Sequence, residues 1–188
     1  MICYLVRHGK DDETVRGGWS HYPLTEEGIR QAEKLAVGNW NIKHIYSSDL
    51  QRALQTAQII AQKAGLTVTE LPQLREVNNG VLAGMENTTA LEQYPGLFWN
   101  QLGWEQSYPD GESPKVFYER ICTAWEAFSH EITAKNENVM LVTHGGVIHV
   151  ILSLIEGSVY SNKEKQRNIP HASVVALSYE NGGWKESC

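Results

Sequence analysis

Apolar positions along this chain fall into two patterns, and each predicts a different element. Residues 2–6 (Ile-Cys-Tyr-Leu-Val) and 139–142 (Val-Met-Leu-Val) are apolar at every position. Runs without polar alternation read as strands buried on both faces. Residues 44–48, residues 66–71 with their Thr67-Val68-Thr69 core, and residues 173–179 add three further strands. Gly182-Gly183 ahead of Trp184 predicts a closing hairpin. Between these runs the apolar spacing is helical. Thr25 reads as the N-cap of a helix whose face holds Ile29, Ala32, Leu35 and Ala36 and which closes at Asn39 and Asn41, with Glu26 and Glu27 suiting its positive start. A second helix begins across residues 49–52, carries Leu54, Ala57, Ile59, Ile60 and Ala61, and ends at Gly65. Ser113-Pro114 opens a long third helix with Val116, Phe117, Ile121, Ala124, Trp125, Phe128 and Ile132 on its core side. An apolar helix follows over residues 147–155.

One segment breaks the pattern. Residues 86–114 contain no Lys or Arg but concentrate Tyr94, Phe98, Trp99, Trp104 and Tyr108. Thr89-Ala90-Leu91-Glu92 fits a capping box, so a helix is expected to start there. Pro109-Asp110-Gly111 reads as a turn. The segment reads as an insertion covering the active end of the sheet; its aromatics suit the core, a pocket wall or a homodimer contact.

At 188 residues the chain is expected to form one domain, residues 1–188, with a core that needs no disulfides. The formal net charge of -6 argues against binding nucleic acid or an acidic membrane, while leaving a small anionic substrate open. Cys3, Cys122 and Cys188 are scattered, with no CxxC, as in a reducing compartment without a disulfide framework or zinc site. The first apolar run is too short for a signal peptide, and no run reaches the roughly 20 residues of a spanning helix, so a cytoplasmic location is expected.

Candidate chemistry gathers where strands end. The first buried strand delivers Arg7 and His8, and Gly9 is expected to turn the chain away. The strand over 139–142 repeats this with Thr143, His144 and a Gly145-Gly146 turn. Arg52 falls in the first turn of a helix after a strand, where free backbone N–H groups also favour an anion. Taken alone, Arg52 is a surface ion pair, Arg16 a loop cation and Glu76 a loop carboxylate. The two histidines with Arg7 and Arg52 make a cationic site at the carboxyl ends of the strands, where open α/β sheets bind ligands, and one carboxyl group added there would let it transfer a proton. His144 and His149, five apart, do not share a helical face for zinc, and HExxH, GxSxG, GxGxxG and GxxxxGK[ST] are all missing.

Five ordered blocks carry a resemblance. They are Leu5-Val6-Arg7-His8-Gly9 with Pro23-Leu24-Thr25, Gly28 and Gln31-Ala32; Ser47-Ser48-Asp49-Leu50-Gln51-Arg52-Ala53 with Thr56-Ala57; Leu74-Arg75-Glu76 with Gly80 and Gly84; Gly111-Glu112-Ser113; and Val142-Thr143-His144-Gly145-Gly146. In them the chain resembles the histidine phosphatase (phosphoglycerate mutase-like) superfamily, in its small phosphatase branch with alpha-ribazole and broad-specificity phosphatases. The resemblance implies a three-layer α/β/α sandwich around a mainly parallel sheet. It implies that His8 is the nucleophile, that Arg7, Arg52 and His144 hold phosphate oxygens, and that Glu76 is the general acid and then the base. It implies no metal and no cofactor. Physics agrees: a neutral imidazole is not repelled by a phosphate monoester, two guanidinium groups offset its charge, and the leaving oxygen needs a proton.

The chain also departs from the family. The usual Asn after the first motif is absent, and Arg16 is expected to substitute for its phosphate contact. His21-Tyr22 replaces the usual Asp before Pro-Leu-Thr, and Leu82-Ala83-Gly84 stands where Trp-Glu-Gly is common, so the pocket wall differs. Glu76 is followed by Val77-Asn78-Asn79, and the 86–114 segment has no basic residue to hold a substrate carboxylate. The expectation is therefore a phosphomonoesterase for a small phosphorylated metabolite with a neutral, partly apolar or aromatic leaving group, such as a nucleoside-like or sugar phosphate; alpha-ribazole phosphate is a family precedent. A cofactor-dependent phosphoglycerate mutase-type phosphotransferase, and a protein phosphatase or binding scaffold, are the alternatives.

Overall fold

A computed structural model describes residues 1–164 and 167–187. Its six strands are β1 (Ile2–Arg7), β2 (His44–Ser47), β3 (Val68–Glu70), β4 (Val139–Thr143), β5 (Val174–Glu180) and β6 (Gly183–Glu186). Its five α-helices are α1 (Glu26–Ala36), α2 (Gln51–Ala64), α3 (Asn87–Gln93), α4 (Pro114–Lys135) and α5 (Gly145–Glu156). The strands form one sheet in the order β3-β2-β4-β1-β5-β6. The β3–β2, β2–β4 and β4–β1 pairings are parallel, and the C-terminal hairpin adds β5 and β6 antiparallel. The sheet is thus mainly parallel, with helices on both faces.

The central strands bury both faces because each face meets helices. Cys3, Leu5, Val139 and Leu141 pack with Phe117, Ile121 and Phe128 of α4 and Val147 and Ile151 of α5. Val6, Ile45, Met140 and Val142 face Ala53, Ala57, Ile60 and Ala61 of α2. Alternate residues of one strand serve opposite layers, as the period of two requires.

Caps behave as their residue types predict in two helices. Thr25 accepts from the Gly28 N–H at 3.1 Å, and Ser113 accepts from the Val116 N–H at 3.2 Å with Pro114 in the first turn. Ile29 and Val116, expected on core faces, are exposed at 40% and 48%. The α3 helix corrects the capping-box expectation. It begins at Asn87 after Glu86, with no side-chain cap, so Thr89 is already helical. Tertiary contacts set that start: Asn87 N–H donates to the Thr14 carbonyl at 2.9 Å and its side-chain amide to Glu13 O at 2.8 Å.

Two glycine expectations change. Gly9 does not turn the chain; it permits close approach, since a Cβ there would lie 2.5 Å from the Gly28 carbonyl oxygen. Gly145 and Gly146 are not a turn either, because α5 starts directly after His144. Cys3 and Cys122 are free thiols, and Cys188 lies outside the described residues. Among the described residues no helix is long and apolar enough to cross a membrane.

Candidate active site

Register brings the chemistry to one edge of the sheet. Arg7 of β1 is level with Thr143 of β4, and Ser47 of β2 is level with Val142. The ladder continues one residue further, with His8 N–H donating to Thr143 O and Ser48 N–H to Val142 O, each at 2.9 Å. His8, Ser48 and His144 therefore leave three parallel strands side by side. The antiparallel β5 begins at this same edge, so the residues just before it also arrive here. Ala172 N–H donates to the His8 carbonyl at 3.0 Å.

The His8 imidazole is buried and its two nitrogens are distinguished. Nδ1 lies 2.7 Å from the Gly9 carbonyl, which can only accept, so Nδ1 carries the hydrogen. Nε2 then presents its lone pair and receives Arg52 Nε at 3.3 Å. Burial, reinforced by the Arg52 cation, pushes the His8 pKa well below that of an ordinary imidazole. His144, with its ring centroid 5.1 Å from that of His8, is pushed down for the same two reasons. Both are neutral at physiological pH. His144 Nε2 meets Ser48 Oγ at 2.8 Å, and its buried Nδ1 has no partner.

Two arginines flank His8. Arg52, 2% exposed, is held by Gly18 O at 2.7 Å and by the Ser20 carbonyl and hydroxyl at 3.3 Å. Arg7 donates to Ile169 O at 2.7 Å and to His171 Nε2 at 2.8 Å, while its buried Nε is unpaired. Across from them, the Glu76 carboxylate accepts from Gly146 N–H at 3.0 Å and Val77 N–H at 3.1 Å. A Cβ on Gly146 would lie 2.4 Å from Glu76 Oε1, which explains the glycine.

Arg7, His8, Arg52 and Glu76 line one cavity of about 220 Å³, together with Asp11 and His171. The sequence reading missed Asp11 and His171. Asp11 stands in a polar loop with nothing to single it out, and His171 reaches the site only because β5 runs antiparallel beside β1. Arg16 is placed elsewhere. Hydrogen bonds of its backbone with Met85 and Gly84, both 2.8 Å, turn its guanidinium over the Phe98 ring, 4.3 Å from the centroid, and it does not line the His8 cavity. Leu82, expected in the pocket wall, is instead buried against Ala90, Leu102 and Tyr108.

A second cavity of about 340 Å³ shares Arg7 and continues past Gly145 and Gly146 to Trp99 and Tyr160. The 86–114 segment supplies Trp99 here, which also meets Phe117 edge-on and Tyr108 in a stack. Donor atoms of His8, Asp11 and His171 lie within 4.8 Å of one another, a spacing that could suit a metal ion. The same donors face the guanidinium groups of Arg7 and Arg52, whose charge opposes a dication, so the set does not fit one.

A relative from Yersinia pestis (strain Pestoides F), named "Probable phosphoglycerate mutase GpmB", is 37% identical over 199 residues, covering 100% of this chain and 89% of that one. The alpha-ribazole phosphatase of Shigella flexneri shares the fold with a TM-score of 0.84 at 21% identity, covering 100% and 95% of the two chains. The mycobacterial glucosyl-3-phosphoglycerate phosphatase has a TM-score of 0.79 at 25% identity, covering 99% and 96%. The family model described as "Histidine phosphatase superfamily (branch 1)" matches residues 3–187. With the strand-end histidines, the paired arginines and a match over nearly its whole length, the chain belongs to the histidine phosphatase superfamily, branch 1.

Proposed function

We propose that this protein is a phosphomonoesterase that works through a phosphohistidine at His8 on a small phosphorylated metabolite. The observation that carries the reading is the state of His8: neutral, its Nδ1–H fixed on Gly9 O, its Nε2 lone pair directed among Arg7, Arg52 and Glu76. In the first step Nε2 attacks phosphorus and the bond to the leaving oxygen breaks. The Glu76 carboxyl group gives its proton to that oxygen, releasing an alcohol. The phosphorylated imidazole is cationic, and Gly9 O stabilises its Nδ1–H more strongly than in the neutral ring. In the second step water attacks phosphorus, Glu76 takes a water proton, and the P–N bond breaks to give phosphate and free His8. Arg7 and Arg52 offset the oxygen charge throughout, and the unpaired Arg7 Nε and His144 Nδ1 supply further polar contacts. This scheme requires no metal.

The second cavity is the natural place for the leaving group. Trp99 and Tyr160 give it aromatic walls, which favours an alcohol bearing a ring. Arg16 stands outside the lining of the His8 cavity, with its guanidinium over Phe98 and its Nε buried and unpaired, so the scheme gives it no phosphate contact. A phosphoglycerate mutase-type reading is kept alive by the relative at 37% identity. It would need a cation for the substrate carboxylate. Of the second cavity's cations, Arg167 is already bound by both of its terminal nitrogens to Glu186, and Lys163 is the one that such a reading would use.

The test is phosphate release from a panel of phosphomonoesters, including 3-phosphoglycerate, in the presence of a chelator. Release from an aromatic or nucleoside phosphate with little from 3-phosphoglycerate supports the proposal. Interconversion of phosphoglycerates after priming with the bisphosphate, without net hydrolysis, would replace it with the mutase.

A further inference from the structure

The loop after β1 places a carboxylate among the anion-binding groups. Asp11 Oδ2 lies 3.3 Å from Arg52 Nε, and that nitrogen is also 3.3 Å from His8 Nε2. Asp11 Oδ1 lies 3.5 Å from His171 Nε2, which receives Arg7 Nη2 at 2.8 Å. The side chain is 12% exposed. Asp11 thus uses the donors that phosphate oxygens would use, and it stands within reach of the nitrogen where a phosphoryl group would form. Two anions sharing one desolvated site cannot both keep full charge unless one moves away.

We propose that Asp11 is the resident counter-anion of this site, and that its carboxylate takes up one proton when a tetrahedral dianion binds at His8. Anion binding is then coupled to proton uptake, and Asp11 is a specificity-determining residue that weakens dianion binding as pH rises. The inference rests on the anion site described under Proposed function. The groups facing Asp11 are Arg7 and His8 at the end of β1, Arg52 on α2, His171 ahead of β5, Glu76 across the cavity, and Asp12 and Glu13 in its own loop. With the site empty, burial works against the charged form of Asp11. The contact with His171 and the Arg52 cation outweigh that and hold its carboxyl below the usual range, so it starts ionised. An incoming dianion claims the same cations and reverses the balance. Once protonated, the carboxyl group becomes a donor to an anion oxygen.

Sulfate is the probe, because it stays a dianion throughout the working pH range. Its binding to the whole protein is followed by calorimetry between about pH 5.5 and 8.5, in buffers of different ionisation enthalpy. The wild type should take up close to one proton per sulfate, and its Kd should weaken by about tenfold per pH unit at the alkaline end. Asp11→Asn should bind sulfate at least tenfold more tightly near the top of that range, with little pH dependence and no proton uptake. Asp11→Ser, which also removes the charge, should behave likewise, and a thermal melt checks that each variant is folded. Equal or weaker binding in both folded variants would overturn the proposal and leave the anion site standing. Tighter binding in the variants without proton uptake by the wild type would also overturn it, since the carboxylate would then be leaving while charged. A pH slope that survives Asp11→Asn but disappears in His171→Gln would assign the proton to His171 and overturn it too. If no folded form binds sulfate or phosphate at any pH, the anion site itself is wrong and the proposal fails with it.

Discussion

His8 is defined by its hydrogen bond to Gly9 O as much as by its burial. A buried imidazole whose pKa is pushed down stays neutral in mildly acidic solution. The acid limb of kcat/KM is therefore expected below about pH 6.5, the ordinary imidazole value. A pH profile with its acid limb at or above that value would refute this account of His8. Gly146 gives a second prediction at the same scale. Gly146→Ala would drive a methyl group against Glu76 Oε1, so kcat should fall by about a hundredfold or more, the usual worth of a positioned acid–base group. The fold should survive, which circular dichroism and a melting curve would check.

Single residues were also where the sequence was easiest and hardest to read. Arg7, His8, Arg52, Glu76 and His144 stand beside strand ends or helix starts inside ordered blocks, and the structure gathers them. Asp11 and His171 stand in plain loops. Their value comes from contacts with residues 41 and 160 positions away, at Arg52 and Asp11 respectively, which no local pattern encodes. Arg16 shows the converse. It looked poised for phosphate, but its guanidinium lies over the Phe98 ring, on a backbone paired with Met85 and Gly84.

Among the elements, α4 has a task that its apolar stripe conceals. Arg120 donates to the carbonyls of Gln73, Arg75 and Glu76 at 2.8–3.1 Å, and it forms a forked ion pair with Glu112. Glu112 in turn accepts from Asn78 N–H at 2.8 Å. This ties the loop carrying Glu76 to α4, and gives the Gly111-Glu112-Ser113 block a physical role. Both side chains are mostly buried, so Arg120→Ala strands a carboxylate. It should cost about 3 kcal/mol or more of stability, read by urea unfolding, and lower kcat more than it raises KM. In the core of the same helix, Phe117→Ala should cost about 3–5 kcal/mol. Buried strands and long helices were legible because their apolar periods are strong. The start of α3 was not, because the loop at Glu13 and Thr14 sets it.

For the molecule as a whole, pH acts through the buried imidazoles. His8 and His144 have lower pKa values folded than unfolded, so the unfolded chain binds more protons as pH falls below about 6.5. Stability should therefore decline from neutral pH towards pH 5, and Asp11, also held below its ordinary value, deepens the loss further down. Urea midpoints that stay constant from pH 7.5 to 5.5 would contradict this.

The strand order has one more consequence, for a chain made from its first residue onward. The strand that carries Arg7 and His8 to the site, β1, is synthesised well before its two neighbours, β4 and β5, at residues 139–143 and 174–180. Until those segments emerge it has no partner on either side, and loop closure over such distances is slow. His171 and the Ala172 contact to His8 also emerge only after β4. A nascent chain on the ribosome thus carries the Arg7-His8 pair long before it has a site, and can assemble that site only once residues 171–180 have emerged.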